Sequence, residues 1–314
     1  MIHAYTLDDD GRLREVREPS TRMLDDAVWM DLVDPSEAEL DEATGGSGSI
    51  VPSHVDIGEI EATSRYYEDS DGIQVQLHFL DHSADDVRNI NVVFALRGER
   101  LVSFRERDLA AIAAFLRRVE RQAEPVGDAT GIFLGILESK IDHVADALET
   151  NYVHLEQLSG TTLAVANPDL EEALMNLTSI ESLNGKIRIN LMDTQRVVSS
   201  LLRSNRMQQS RHRLSEVLRD VESLLVHTAF LLEEIGFLSD AVIGLISVEQ
   251  NRIVKILSVV AVVFLPPTLV ASIYGMNFRH LPELTWPLGY PLALITMLIL
   301  GIAPLWYARR QHWL

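Results

Sequence analysis

The spacing of apolar residues changes twice along the chain, and each change marks a different kind of element. Ile2 to Leu7, Val28 to Leu32, Gly72 to Leu80, Ile90 to Leu96 and Leu101 to Phe104 are short runs rich in β-branched and aromatic residues, which predicts strands. Tyr66-Tyr67 leads into Asp69-Ser70-Asp71-Gly72, and Arg97-Gly98-Glu99-Arg100 divides two further runs; both read as turns. Asp34-Pro35-Ser36 ahead of an acidic, alanine-containing stretch reads as a helix start. A mixed α/β unit over residues 1–124 is the expectation.

After Pro125 the period becomes helical. Leu134, Leu137, Ile141, Ala145 and Leu148 recur at threes and fours, and Leu155 and Leu158 continue the stripe. Asn167-Pro168-Asp169 should end that helix and cap the next, which runs to about Ser204; the polar, basic stretch Asn205 to Arg213 makes a turn. Residues 125–213 therefore read as a helical hairpin. From Leu214 there is no proline until Pro266, which permits one helix of about 50 residues and roughly 75–80 Å. Its first part, 214–255, predicts a stalk, with a broken hairpin hinged at Gly236 or Gly244 as the alternative.

The last segment is apolar almost throughout. Ile256 to Tyr274 is a run of 19 residues without a charge, and Leu288 to Ala308 is another of 21. Either can cross a hydrocarbon core of about 30 Å as a helix. Arg252 and Lys255 precede the first run, and Arg309 and Arg310 follow the second. By the positive-inside rule both termini are cytoplasmic, the loop 275–287 faces outward and 309–314 is an inner tail. Trp286, Tyr290, Trp306, Tyr307 and Trp313 stand near the ends of the crossings, where amphipathic rings favour the interface. Met1 to Asp10 has no apolar core of a signal peptide, so a multi-pass protein of the cell's inner membrane is expected. Pro266-Pro267 would leave carbonyls unpaired at membrane depth, tolerable against a watery pore or a neighbouring helix. Two crossings cannot enclose a polar path, so any transport requires an oligomer.

Charge sharpens this division. The chain of 314 residues has 27 Lys and Arg against 46 Asp and Glu, a net −19. From Ile253 onward there are four basic residues and one acid, a net +3, which leaves −22 on the preceding part. So acidic a chain repels phosphate backbones and is not a nucleic-acid binder. The absence of cysteine removes disulfides, Cys-ligated zinc, iron–sulfur clusters and thiol catalysis. Gly185-Lys186 lacks the earlier glycine of a phosphate loop, there is no His-Glu-x-x-His, and Gly45 to Ser49 is a linker, not a nucleophile elbow. His78 and His82 would ligate metal only if their loop folded back. An enzyme, an ATP-driven machine or an organic-cofactor protein has no support in these residues.

Directly after the first crossing stands Tyr274-Gly275-Met276-Asn277-Phe278, followed by Leu281-Pro282-Glu283-Leu284 and a final crossing with a Trp-Leu tail. With these motifs, Glu249-Gln250-Asn251-Arg252-Ile253, the stretch Phe264 to Ser272, Gly289-Tyr290-Pro291, Asp56 to Gly72, Glu138 to Glu149 and Leu191 to Arg196, the chain closely resembles the CorA family of magnesium transporters, in its classical bacterial branch. The resemblance covers nearly the whole chain and is weakest around Gly45 to Pro52. It implies a homopentamer with a cytoplasmic funnel built on an α/β domain, a long helical stalk continuing into a pore-lining crossing, and a second crossing of the lipid bilayer. Its filter would be Gly275, Met276 and Asn277 at the outer mouth. Hydrated Mg2+ would enter, with Co2+ and Ni2+ as candidate companions, driven by the membrane potential and gated by internal Mg2+.

The residues suit that role. Mg2+ sheds water reluctantly, so a selective mouth should grip the hydrated ion; Asn277 offers acceptor oxygens without a full charge, and Gly275 lets the chain turn. Steps of three and four down the helix from Asn277 give Thr268, Leu265, Ala261, Leu257, Val254, Asn251, Ser247 and Asp240, which match the family's pore-facing row. Leu257 and Leu265 would close by dewetting, Thr268, Asn251 and Ser247 would offer polar steps, and Asp240 would ring the inner end with carboxylates. Glu216 matches one acidic position of the family's regulatory metal site. The −22 soluble part would be drawn together by bound cations and released as they leave. Within the filter loop, Arg279 stands where the family commonly has an acid and Leu281 where it commonly has Met, while Glu283 keeps the magnesium-branch pattern. The competing readings are a zinc-transporting relative of the same fold and a membrane-tethered acidic sensor or scaffold.

Overall fold

The computed structural model describes residues 1–8, 10–16, 27–36, 65–82, 87–122, 125–164, 169–276 and 286–310. The chain forms two compact units, Met1–Ser239 and Asp240–Leu314.

In the first unit, seven strands form one sheet: β1 (Ile2–Leu7), β2 (Leu13–Val16), β3 (Trp29–Val33), β4 (Tyr66–Glu68), β5 (Gly72–Asp81), β6 (Arg88–Arg97) and β7 (Arg100–Arg105). Their order is β2-β1-β3-β7-β6-β5-β4. Among the described residues only the β3–β7 pair is parallel, with Trp29 opposite Leu101 and Val33 opposite Arg105. The five strands expected from the sequence are present: β1 as expected, β3 shifted by one residue, and β5, β6 and β7 longer by one, three and two residues. Leu13–Val16 was not anticipated: its Arg14 and Glu15 are exposed and leave no alternating apolar signal.

Turn chemistry fixes the register. The Asp69 carboxylate accepts from the backbone N–H of Asp71 at 2.8 Å and Gly72 at 2.9 Å, closing the β4–β5 turn. The same two backbone bonds hold the Asp69 carboxyl below the usual carboxylate range. Gly98 takes a φ of 57° in the two-residue β6–β7 connection, a conformation that costs glycine nothing. A Cβ at Gly72 would lie 2.0 Å from the Leu96 carbonyl oxygen, so no other residue fits there.

Along β5, Ile73, Val75, Leu77 and Phe79 are buried while Gln74, Gln76 and His78 are half-buried, the alternation of a strand with one face on a core. That core is closed by α1 (Ala110–Gln122), α2 (Ala129–Ala164) and α3 (Leu170–Leu201). Trp29 meets Phe115 of α1 at 6.1 Å between ring centres, and Phe94 meets Phe133 of α2 at 5.4 Å. Ala4, Met30, Leu32, Ala95 and Val102 form a second cluster on the other face of the sheet.

The expected α2 stripe is in place: Leu134, Leu137, Ile141, Leu148 and Leu155 are buried, and Ala145 and Leu158 are half-buried. Asp169 caps α3, its carboxylate accepting from the N–H of Glu171 and Glu172. α3 ends at Leu201, three residues before the expected boundary, and a 3₁₀ turn over Asn205–Ser210 leads into α4 (Arg211–Gly275). The broken-hairpin alternative fails, since Gly236 and Gly244 lie inside one continuous helix. The helix start expected at Asp34-Pro35-Ser36 runs into residues outside those described.

The first part of α4 belongs to this unit by its packing. Leu214, Val217, Val221, Leu231, Ile235 and Leu238, at threes and fours, are buried. Arg213 bonds Glu138 of α2 at 2.9 Å, Asn184 of α3 donates to the Thr228 carbonyl at 2.9 Å, and the Tyr152 hydroxyl donates to the His227 carbonyl at 2.9 Å.

Candidate functional site

In the second unit, the rest of α4 and α5 (Gly289–Arg310) are both long and apolar enough to cross a membrane. Pro266 and Pro267 lie within α4. Lacking N–H groups, they leave the carbonyls of Val262 and Val263 without their helical donors. Gly301 of α5 sits against this point: a Cβ there would lie 3.6 Å from Pro267 and 3.8 Å from the Val263 oxygen. A small residue thus lets the two helices approach where the ladder is interrupted.

This contact divides α4 into two faces. Val259, Val263, Pro266, Val270 and Tyr274 are half-buried. At roughly 100° per residue, Val254, Leu257, Ala261, Leu265 and Thr268 point to the opposite side of the helix. Each of those five is exposed, as are Asn251, Ser247 and Asp240 further down. The Thr268 hydroxyl donates to the Phe264 carbonyl at 2.6 Å and the Ser247 hydroxyl to the Ile243 carbonyl at 3.0 Å. Both keep oxygen lone pairs for a further donor such as a metal-bound water.

The row ends at Gly275, the last residue of α4, which has open space around its α-carbon, and at Met276, which is exposed. Beside that end, a cleft of about 360 Å³ opens between α4 and α5, lined by Tyr274, Trp286 and Tyr290 among others. Asn277, Arg279 and Glu283 lie outside the described residues.

Other expected site residues are in the first unit. Glu216 is half exposed on α4 and lies 3.4 Å from His212, one turn earlier. Among the described residues no three His, Asp or Glu side chains of one chain gather into a metal cage. His78 and His82 do not act together: His78 lies 3.2 Å from Asp193, which also receives Arg65 at 2.5 Å, and His82 packs on His143.

Sequence reasoning missed a buried polar cluster around Lys140. Its Nζ donates to Asn190 Oδ1 at 2.6 Å and Thr194 Oγ1 at 2.5 Å and lies 5.7 Å from the centre of the Phe79 ring. Asn190 in turn donates to the His78 carbonyl and to Asn89, each at 3.0 Å. Burial pushes the Lys140 ammonium down to about 7, with Asp193 opposing. An i, i+4 pairing of Asn190 with Thr194 was available in the sequence, but nothing in it points to a lysine 50 residues earlier.

A folded acidic unit joined to two helices long and apolar enough to cross a membrane fits a protein of the bilayer. Residues 25–310 match the family model described as CorA-like Mg2+ transporter protein. The chain is 41% identical over 317 aligned positions to the magnesium transport protein CorA of Salmonella typhimurium, covering all of both proteins. It is 41% identical, again end to end, to that of Escherichia coli K12. The complete structure of the CorA magnesium transporter from Methanocaldococcus jannaschii superposes with a TM-score of 0.79 at 21% identity, over 100% of this chain and 99% of that one, which speaks for the fold. The chain belongs to the CorA-like Mg2+ transporter family.

Proposed function

We propose that the protein is a magnesium channel in which identical chains, five by analogy with the family, line one path with the exposed face of α4. The observation that carries this reading is the row from Asp240 to Thr268. It faces away from α5, is uncovered in one chain, and alternates polar, small and apolar residues. Within the crossing the row offers Thr268 among apolar side chains, and below it Asn251, Ser247 and Asp240 continue the row along the stalk; copies arranged about an axis would bring all of them into rings. Hydrated Mg2+ would be held by oxygens of Gly275-Met276-Asn277 at the outer mouth and would step past Thr268. Rings of Leu257 and Leu265 would exclude water when the path narrows. Both termini would be cytoplasmic, and an inside-negative potential supplies about 4.6 kcal/mol per 100 mV to a doubly charged ion. Internal Mg2+ at Glu216 and a neighbouring chain would favour the closed form, because it offsets repulsion among soluble units of net −22. Co2+ and Ni2+ would follow the same route.

Nothing in the residues favours a zinc-carrying relative, and a tethered sensor leaves the polar row without a purpose. The test is Mg2+ entry into liposomes with an inside-negative potential, for the wild type and Asn277→Ala. Entry should follow the potential and collapse in the variant. No entry in either protein, with internal Mg2+ removed, would return the tethered-sensor reading.

A further inference from the structure

His143 sits on α2 facing the end of β5, and its two ring nitrogens have different surroundings. Its hydrogen bond to the Leu80 backbone must be a donation to that carbonyl from Nδ1, because Nε2 is buried without a hydrogen-bond partner among the described residues. One nitrogen is therefore fixed as N–H, and the other presents a lone pair that no donor among the described residues satisfies. This is how a ligating imidazole is normally set: a backbone carbonyl holds one nitrogen and so selects the tautomer that leaves the other free. As a packing histidine it would instead be a cost, since a buried unsatisfied acceptor is destabilising.

His82, the first residue after β5, is exposed, and its ring centre lies 5.2 Å from that of His143 with the planes at 87°. A metal–nitrogen bond of about 2.0–2.1 Å carried through each ring puts two tetrahedrally arranged imidazoles about 5 Å apart, centre to centre. Asp81 and Asp146 both act on His143 as negative charges that favour a nearby cation. Asp81 is committed to Arg107 at 3.4 Å, so the carboxylates supply field and the imidazoles supply the bonds.

We propose that His82 and His143 form a binding site for an imidazole-seeking divalent cation of the Zn2+ or Ni2+ kind, with water completing its shell. Two nitrogen ligands disfavour Mg2+, which demands oxygen. The site is chemically separate from the magnesium path and does not rest on the channel reading. It would tie the end of β5 to α2, on the cytoplasmic unit.

The test is equilibrium dialysis of the tag-free, full-length protein in detergent against Zn2+ with Mg2+ in large excess, so that oxygen sites are already filled. The wild type should bind one more Zn2+ per chain than either His82→Ala or His143→Gln, and that increment should vanish as pH falls below the ordinary histidine range near ~6.5. Zn2+ should also raise the thermal midpoint of the wild type and leave that of His82→Ala unmoved. Equal Zn2+ binding in wild type and His82→Ala, or an increment displaced by Mg2+, would overturn the proposal. Because His82 is exposed, its variant decides the matter even if His143→Gln does not fold.

Discussion

The two units of this chain solve opposite problems with polar side chains. In the sheet unit, polar groups are taken out of water and paired with one another: Asp31 accepts from Arg105 at 2.8 and 3.0 Å and from Ser103 at 2.5 Å, and Trp29 donates to Ser103 at 2.9 Å. In the helical unit, Asn251, Ser247 and Asp240 stand exposed on α4. The first arrangement is complete within one chain, and its polar groups hold elements in place. The second closes no core, and the role proposed for it depends on neighbouring copies of the chain. The hydrophobic surface divides the same way, buried in Phe79 and Phe133 and bare in Leu257, Leu265 and Ile302.

The sharpest way to break this contrast is to damage only the self-contained unit. Arg105→Ala leaves the Asp31 carboxylate buried beside Ser103 with no counter-charge, between the parallel strands β3 and β7. Loss of one member of a buried pair should cost about 3–5 kcal/mol. Denaturant unfolding followed at Trp29, in a protein with its other tryptophans replaced, should show the loss, while the helicity of α4 and α5 in detergent persists. A change below about 1 kcal/mol would mean that water reaches Asp31 and that the unit is less closed than it looks.

Lys140 gives a graded test of the same closure. Burial pushes its ammonium down to about 7 in the folded protein, from an ordinary value of 10.5. Between those values the unfolded chain binds more protons, so stability should rise with pH, by up to about 1.4 kcal/mol per unit, and flatten below about 7. In Lys140→Met that climb should disappear, and at pH 6 the variant should be close to the wild type. Removal of a penalised charge there is offset by stranding Asn190 Oδ1. Hydrogen exchange of β5 and α2 amides, measured across this window, reads both effects. An unchanged slope in the variant would sink the assignment.

What could be read beforehand follows the same division. Alternation along β5 and the threes and fours of α2 are local signals, and so is the lone Asp169 before a helical run; each survived. Leu13–Val16 has two apolar residues and a charged middle, and it becomes a strand only because β1 pairs with it. Lys140 carries no local sign of burial because Asn190 and Thr194, which receive it, arrive from another helix. That Leu257, Ala261, Leu265 and Thr268 share one side of α4 follows from helical spacing, but their reading as a pore row came from the family likeness, because a leucine stripe by itself looks the same as ordinary helix packing. Glu216 was reachable only through family likeness, and in one chain its neighbour is His212 and not a cage of acids.

The smallest expected effect concerns Arg279, which follows Asn277 of the proposed filter by two positions. If identical chains surround the mouth, each adds one guanidinium near the entering ion, and the repeated positive charge lowers the local concentration of Mg2+ without touching the path. Arg279→Glu should then raise apparent affinity for external Mg2+, leave the maximal rate nearly unchanged, and increase the sensitivity of uptake to ionic strength, because such a field is screened over about 8–10 Å. Uptake into liposomes as a function of external Mg2+, at low and high salt, measures all three. An unaltered concentration dependence would place Arg279 away from the entry, and would separate the loop's charge from the exposed row proposed to line the path.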